Sequence, residues 1–141
     1  MASTDFTDIR AAISTKLGTV SNLAQVKDFH SGKFDGFPAA TFEPSGNTSE
    51  LFTNEDNLRS YAFDIIVHQE MDKAGRDKAI EILAETVDAL LSAFDEDYNL
   101  GGVCDFCLAL PSTWGEYTGD NGAVKYAMLQ LICKKEVTVI S

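Results

Sequence analysis

The sequence is short of cations. Eleven lysines and arginines face 22 aspartates and glutamates, for a formal net charge of −11 and a pI near 4.4. Without a cationic excess a chain releases few counterions on meeting phosphates, which argues against wrapping nucleic acid and against holding anionic lipid. Cysteine is scarce as well. Three residues, an odd number, with no basic region and apolar block in the opening "MASTDFTDIR", do not make a disulfide framework. That opening shows no signal peptide, so the expected compartment is the cytoplasm of the cell that makes the chain. No apolar run approaches the roughly 18 residues of a membrane span, and a membrane partner is not expected. Nucleophile-elbow, phosphate-loop and dinucleotide fingerprints are all missing.

What is present reads as an ordinary globular chain. It has 141 residues, 45% of them hydrophobic and 23% charged, with a mean hydropathy of −0.07. That length fits one domain, residues 1–141, with roughly two thirds of its unfolded surface buried. The acidic balance keeps such a protein soluble, and it also suits a non-stick wall past which DNA slides.

Phe6, Ile9, Ile13 and Leu17 recur at helical spacing, with Ser3 or Thr4 as cap and Gly18 as stop. Residues 23–30 and 37–44 read as short strands, the second entered through Pro38. Segment 45–57, "SGNTSELFTNEDN", is full of turn formers and predicts an exposed loop. In 58–70, Tyr61, Phe63, Ile65 and Val67 alternate with Ala62, Asp64, Ile66 and His68, the pattern of a central strand with helices over one face. Ile80, Leu83, Val87, Leu90, Leu91 and Phe94 stripe a long helix over 76–94. Gly101 and Gly102 reset the backbone, and strands 103–118 and 123–139 flank the turn cluster "TGDNG", with a bulge at Pro111 and Ser112. The expected fold is α+β: a mainly antiparallel sheet of four to five strands with two helices packed on one face.

Three constellations invite chemistry. Cys104 and Cys107 form a C-x-x-C, but in the strand expected over 103–118 they point to opposite faces about 10 Å apart, and no helix follows to lower a thiol pKa. Cys133, His30 and His68 do not complete a zinc set at any recognised spacing, so these thiols read as buried structural groups. "DEDYNLG" starts like a calcium loop, yet Leu100 stands where glycine is needed and Phe106 where glutamate is needed. It reads as an acidic helix exit. His68, Gln69 and Glu70 close the central strand without a nucleophile nearby, and His68 reads as a surface or interface residue. No catalytic, cofactor or metal residue is expected. The remaining features suit contacts: Asn47, Glu50 and Phe52 in segment 45–57, and Trp114 and Tyr117 in segment 111–121.

The pieces "TDIRAAISTKL", "FPAATFEPSGNTSE", "NLRSYAFDIIVHQEM", the helix at 76–94, and "NLGG" leading into a hairpin follow one another in an order that resembles the tail terminator and head–tail neck proteins of long-tailed bacteriophages. The resemblance covers most of the chain and is one of order and texture. It implies a non-enzymatic virion protein, assembled in the host cytoplasm, that forms a homo-oligomeric ring, typically a hexamer. Such a ring caps the head-proximal end of the tail tube, ends tube polymerisation and offers a surface to the head connector or completion protein. Its partners are then itself, the tail tube protein and the connector, while DNA passes through the lumen without specific binding. Two other classes stay open on the residues alone. One is a small metal- or thiol-dependent protein built on Cys104 and Cys107, with His68. The other is a monomeric binding module using segment 45–57. Within the virion class itself, a head-completion or other neck protein is the near alternative.

Overall fold

The computed structural model describes residues 5–27, 34–51, 56–72, 75–119 and 122–138. Helix α1 spans Asp5–Gly18. Its Ile9, Ile13 and Leu17, at steps of four, are fully buried on one stripe. The cap candidates Ser3 and Thr4 lie outside the described residues. Strand β1, Gln25–Lys27, starts two residues later than the expected 23–30, whose last three residues lie outside the described ones, and runs parallel to β2, Ala39–Leu51. Pro38 sits just ahead of β2, at the strand entry its missing N–H favours. Strand β3, Asp56–Glu70, pairs antiparallel with β2 through Leu51↔Asn57, so residues 45–51 and 56–57 of the expected loop are strand instead, while 52–55 lie outside the described residues. Turn-forming residues such as Ser45, Gly46 and Asn47 are held extended because β3 supplies a complete antiparallel partner; only a register shift between Pro44 and Gly46 marks them.

Helix α2, Arg76–Glu96, buries Ala79, Leu83, Thr86, Val87, Leu90 and Phe94. Ile80, expected in that stripe, is exposed. Its place is taken by Ala79 and by Thr86, whose hydroxyl donates back to the Ile82 carbonyl at 2.8 Å. A short 3₁₀ turn at Leu100–Gly102 follows, with positive φ at both Gly101 (72°) and Gly102 (100°), the left-handed region the two glycines permit. Strands β4, Phe106–Gly119, and β5, Gly122–Thr138, close the chain as an antiparallel hairpin.

The five strands lie in the order β1-β2-β3-β5-β4, mixed only at the β1–β2 pair, which makes the fold α+β. Strand β3 is central, as its alternation predicts. Tyr61, Phe63, Ile65 and Val67 face one side together with Ala127, Leu129, Leu131 and Cys133 of β5. Both helices cover that side, forming one hydrophobic cluster with α1 and α2. Each fully buried Leu, Ile or Phe there is worth about 1.5–3 kcal/mol relative to exposure. The opposite face of the sheet carries no helix among the described elements.

Candidate functional site

Strand β4 ends the sheet, and two residues in its middle determine which side chains it presents. Up to Pro111 it pairs so that Cys107 and Ala109 pack on the core, while Phe106, Leu108 and Leu110 point to the open face opposite Lys134, Ile132 and Gln130. The register then slips by one residue between Pro111 and Trp114, the bulge expected at Pro111 and Ser112. A one-residue slip exchanges the faces. Beyond it Trp114 and Glu116 lie on the helix-bearing side, opposite Ala127 and Lys125, and Tyr117 lies on the open face opposite Val124. Glu116 bridges Lys125 (3.5 Å) and Arg76 of α2 (2.5 Å), which holds its carboxyl below the ordinary carboxylate range, Arg76 being the larger influence.

The result is a row of exposed apolar side chains on the edge strand: Phe106, Leu108 and Leu110 are 46%, 50% and 39% accessible. Half-buried Ile132, Met128 and Ile66 continue this surface inward across β5 and β3. No acidic side chain belongs to the β4 part of the row, although the chain as a whole carries −11.

At the other end of the open face, His68 is buried, not at the surface as its place in the sequence suggested. Its Nε2 lies 3.0 Å from the Thr41 hydroxyl and its Nδ1 2.8 Å from the Tyr117 hydroxyl, so both ring nitrogens are engaged. Phe34 packs on the ring at 4.7 Å between centroids, and Lys27 lies over the far ring at 5.3 Å. Burial pushes the Tyr117 phenol up to about 12. A small cleft of about 140 Å³ opens beside this group, lined by Ile66, His68, Tyr117, Tyr126 and Met128. Among the described residues no carboxylate lines the cleft, and its polar groups are those of His68, Tyr117 and Tyr126.

The cysteines also depart from expectation. Cys104 is not in the strand but in the bend before it, so strand alternation does not apply. Both Cys104 and Cys107 turn toward the core and converge on Cys133 of β5. Hydrogen-bond contact with Cys104 and Cys107, followed by burial, pushes the Cys133 thiol far above the ordinary range. Among the described residues no group of three His, Cys, Asp or Glu is arranged to hold a metal ion. Asp97, the centre of the calcium-like segment, has another task. It accepts from Lys16 of α1 at 3.1 Å and from the Gly101 N–H at 3.1 Å, and these bonds hold its carboxyl below the usual range.

The four contact candidates that lie within the described residues are not brought together. Asn47 and Glu50 lie in β2, paired with Tyr61 and Leu58, while Trp114 and Tyr117 lie beyond β3 and β5 on β4. Trp114 is 40% exposed but on the opposite side of the sheet from Tyr117, which is turned inward onto His68. Phe52 falls outside the described residues. Phe106, Leu108 and Leu110 are not among the contact residues expected from the sequence. Their alternation with Cys107 and Ala109 is the signal that could have found them, since it leaves three large apolar residues on a face without a helix.

The chain matches no protein-family model and no curated protein sequence.

Proposed function

We propose that this chain is a structural subunit that assembles with copies of itself into a ring, of the kind that caps the head-proximal end of a phage tail tube. The observation that carries the proposal is the row Phe106, Leu108 and Leu110 on the edge strand. Three large side chains at this exposure form a contiguous apolar strip, which marks an interface more often than a free surface. A second copy of the same chain is the occupant that best suits it. Two molecules at −11 repel each other over most of their surface, and this strip is where they meet without opposed carboxylates. The bulge and Pro111 interrupt strand addition along the edge, so contact runs through side chains rather than by extending the sheet. A head-to-tail contact of this type closes into a ring when the rotation permits, and a hexamer is the proposed size.

In that ring the acidic balance provides a lumen that DNA passes without sticking, and the tube protein and head connector are the axial partners. The protein acts in the virion neck after assembly in the host cytoplasm and turns over no substrate. Tails assembled with and without the protein, viewed by electron microscopy, test this: capped tubes of uniform length with it, and overlong tubes without it. Normal tubes in its absence contradict the proposal. Copurification with heads instead of tails would assign it to the head side of the neck.

A further inference from the structure

We propose that Cys107 and Cys133 form a dithiol that a peroxide closes into a cross-strand disulfide, tying the edge strand β4 to β5. The two residues are direct partners in the antiparallel register. The Cys107 N–H does not point at β5: it donates to the Tyr98 carbonyl at 2.6 Å on the outer side of the strand. The pair is therefore of the non-hydrogen-bonded type, in which Cα atoms approach to about 4.5 Å. That lies inside the 4.4–6.8 Å window that disulfides occupy, and a cross-strand closure needs only side-chain rotation.

Access orders the chemistry. Cys133 is fully buried and Cys104 nearly so, whereas Cys107 is partly exposed on the edge strand. A peroxide meets Cys107 first. The Cys107 thiol gives up its proton, the thiolate attacks one peroxide oxygen, the O–O bond breaks, and the leaving hydroxide takes up that proton, so that sulfenic acid and one water result. The Cys133 sulfur then attacks the sulfenic sulfur and gives up its proton, and the hydroxyl leaves as a second water. Two thiols and one peroxide thus become one disulfide and two waters. Cys104 also touches Cys133 but stands in the bend outside the ladder, so it is the competitor and not the partner. The bond would fix the stretch of β4 that carries Phe106, Leu108 and Leu110, yet the inference does not depend on what that row binds.

The experiment treats the reduced full chain with hydrogen peroxide, blocks remaining thiols, and reads intact mass and a non-reducing peptide map. Cleavage at Asp105 separates Cys104 from Cys107, which a tryptic digest leaves on one peptide. The expected product is lighter by two hydrogens, links the Cys107 peptide to the Cys133 peptide, and reverts with dithiothreitol. Cys104→Ser retains the link and Cys107→Ser loses it, with circular dichroism confirming that each variant is folded. If Cys107→Ser does not fold, the wild-type map decides alone. Mass gain by oxygen without a link, a link through Cys104, or a link that survives in folded Cys107→Ser would each overturn the proposal.

Discussion

Tyr117 and His68 are joined by a 2.8 Å hydrogen bond that exists because a bulge five residues earlier turns the tyrosine to the open face. Without the slip between Pro111 and Trp114, residue 117 would face the helix side and the buried Nδ1 of His68 would lack this partner. Replacing Tyr117 with Phe keeps the ring but removes this buried hydrogen bond, at a cost of about 1–3 kcal/mol. Urea denaturation at neutral pH checks the figure, and an unchanged midpoint would show that His68 finds another partner.

The same phenol gives stability a slope in alkali. Its value rises from 10.0 unfolded to about 12 folded, so the folded state keeps a proton that the unfolded state gives up in that window. The contribution is complete below pH 10 and is lost as pH climbs through 12. Denaturation midpoints of wild type and Tyr117→Phe measured from pH 9 upward should converge as the solution becomes more basic. Parallel curves would show that Tyr117 titrates normally.

Gly115 lies directly across from Tyr126, and a Cβ at that position would sit 2.6 Å from the Tyr126 hydroxyl and 2.7 Å from its ring carbon. Gly115→Ala therefore forces the ring off its seat beside Tyr117, with an overpacking cost of about 1–3 kcal/mol. The double variant with Tyr126→Ala should lose most of that penalty, and a double-mutant cycle measures the coupling. Additive effects would contradict the close approach.

Lys16 and Asp97 tie the end of α1 to the end of α2 at the surface. Asp97→Asn should cost no more than about 1 kcal/mol at neutral pH, because both groups are partly solvated. Since the carboxyl is held below its ordinary value, its contribution is present above the unfolded carboxylate pKa and disappears as pH falls through the lower folded value. The difference between wild type and Asp97→Asn should vanish in acid. A difference that persists there would assign the effect to the bond from the Gly101 N–H and not to charge.

The architecture was legible where a pattern was local. The alternation of Tyr61 through Val67, the stripe of α2 and the Pro111–Ser112 bulge each depend on neighbours in the chain. What escaped depended on partners far away in sequence. The polar stretch from Ser45 to Leu51 looks like a loop until β3 is laid beside it. Cys104 escapes the strand geometry its spacing to Cys107 suggests, because the strand begins only at Phe106. His68 is buried by Phe34 and by Tyr117, neither of which its own strand announces. The contact candidates lie in segments that read as turns, whereas the exposed apolar row alternates inside a strand and stands out because no helix of the described residues covers that face.

Self-association of the wild type against Leu108→Glu, read by light scattering over a range of concentration and salt, tests the central claim most directly. Assembly should sharpen with salt, which screens the mutual repulsion of acidic copies while leaving the apolar strip intact. We predict a discrete ring-sized oligomer for the wild type and a folded monomer for Leu108→Glu, with Trp114→Ala, on the other face, still assembling. A wild type that stays monomeric at every concentration, even with tail tubes present, or an oligomer indifferent to Leu108→Glu, would contradict the account.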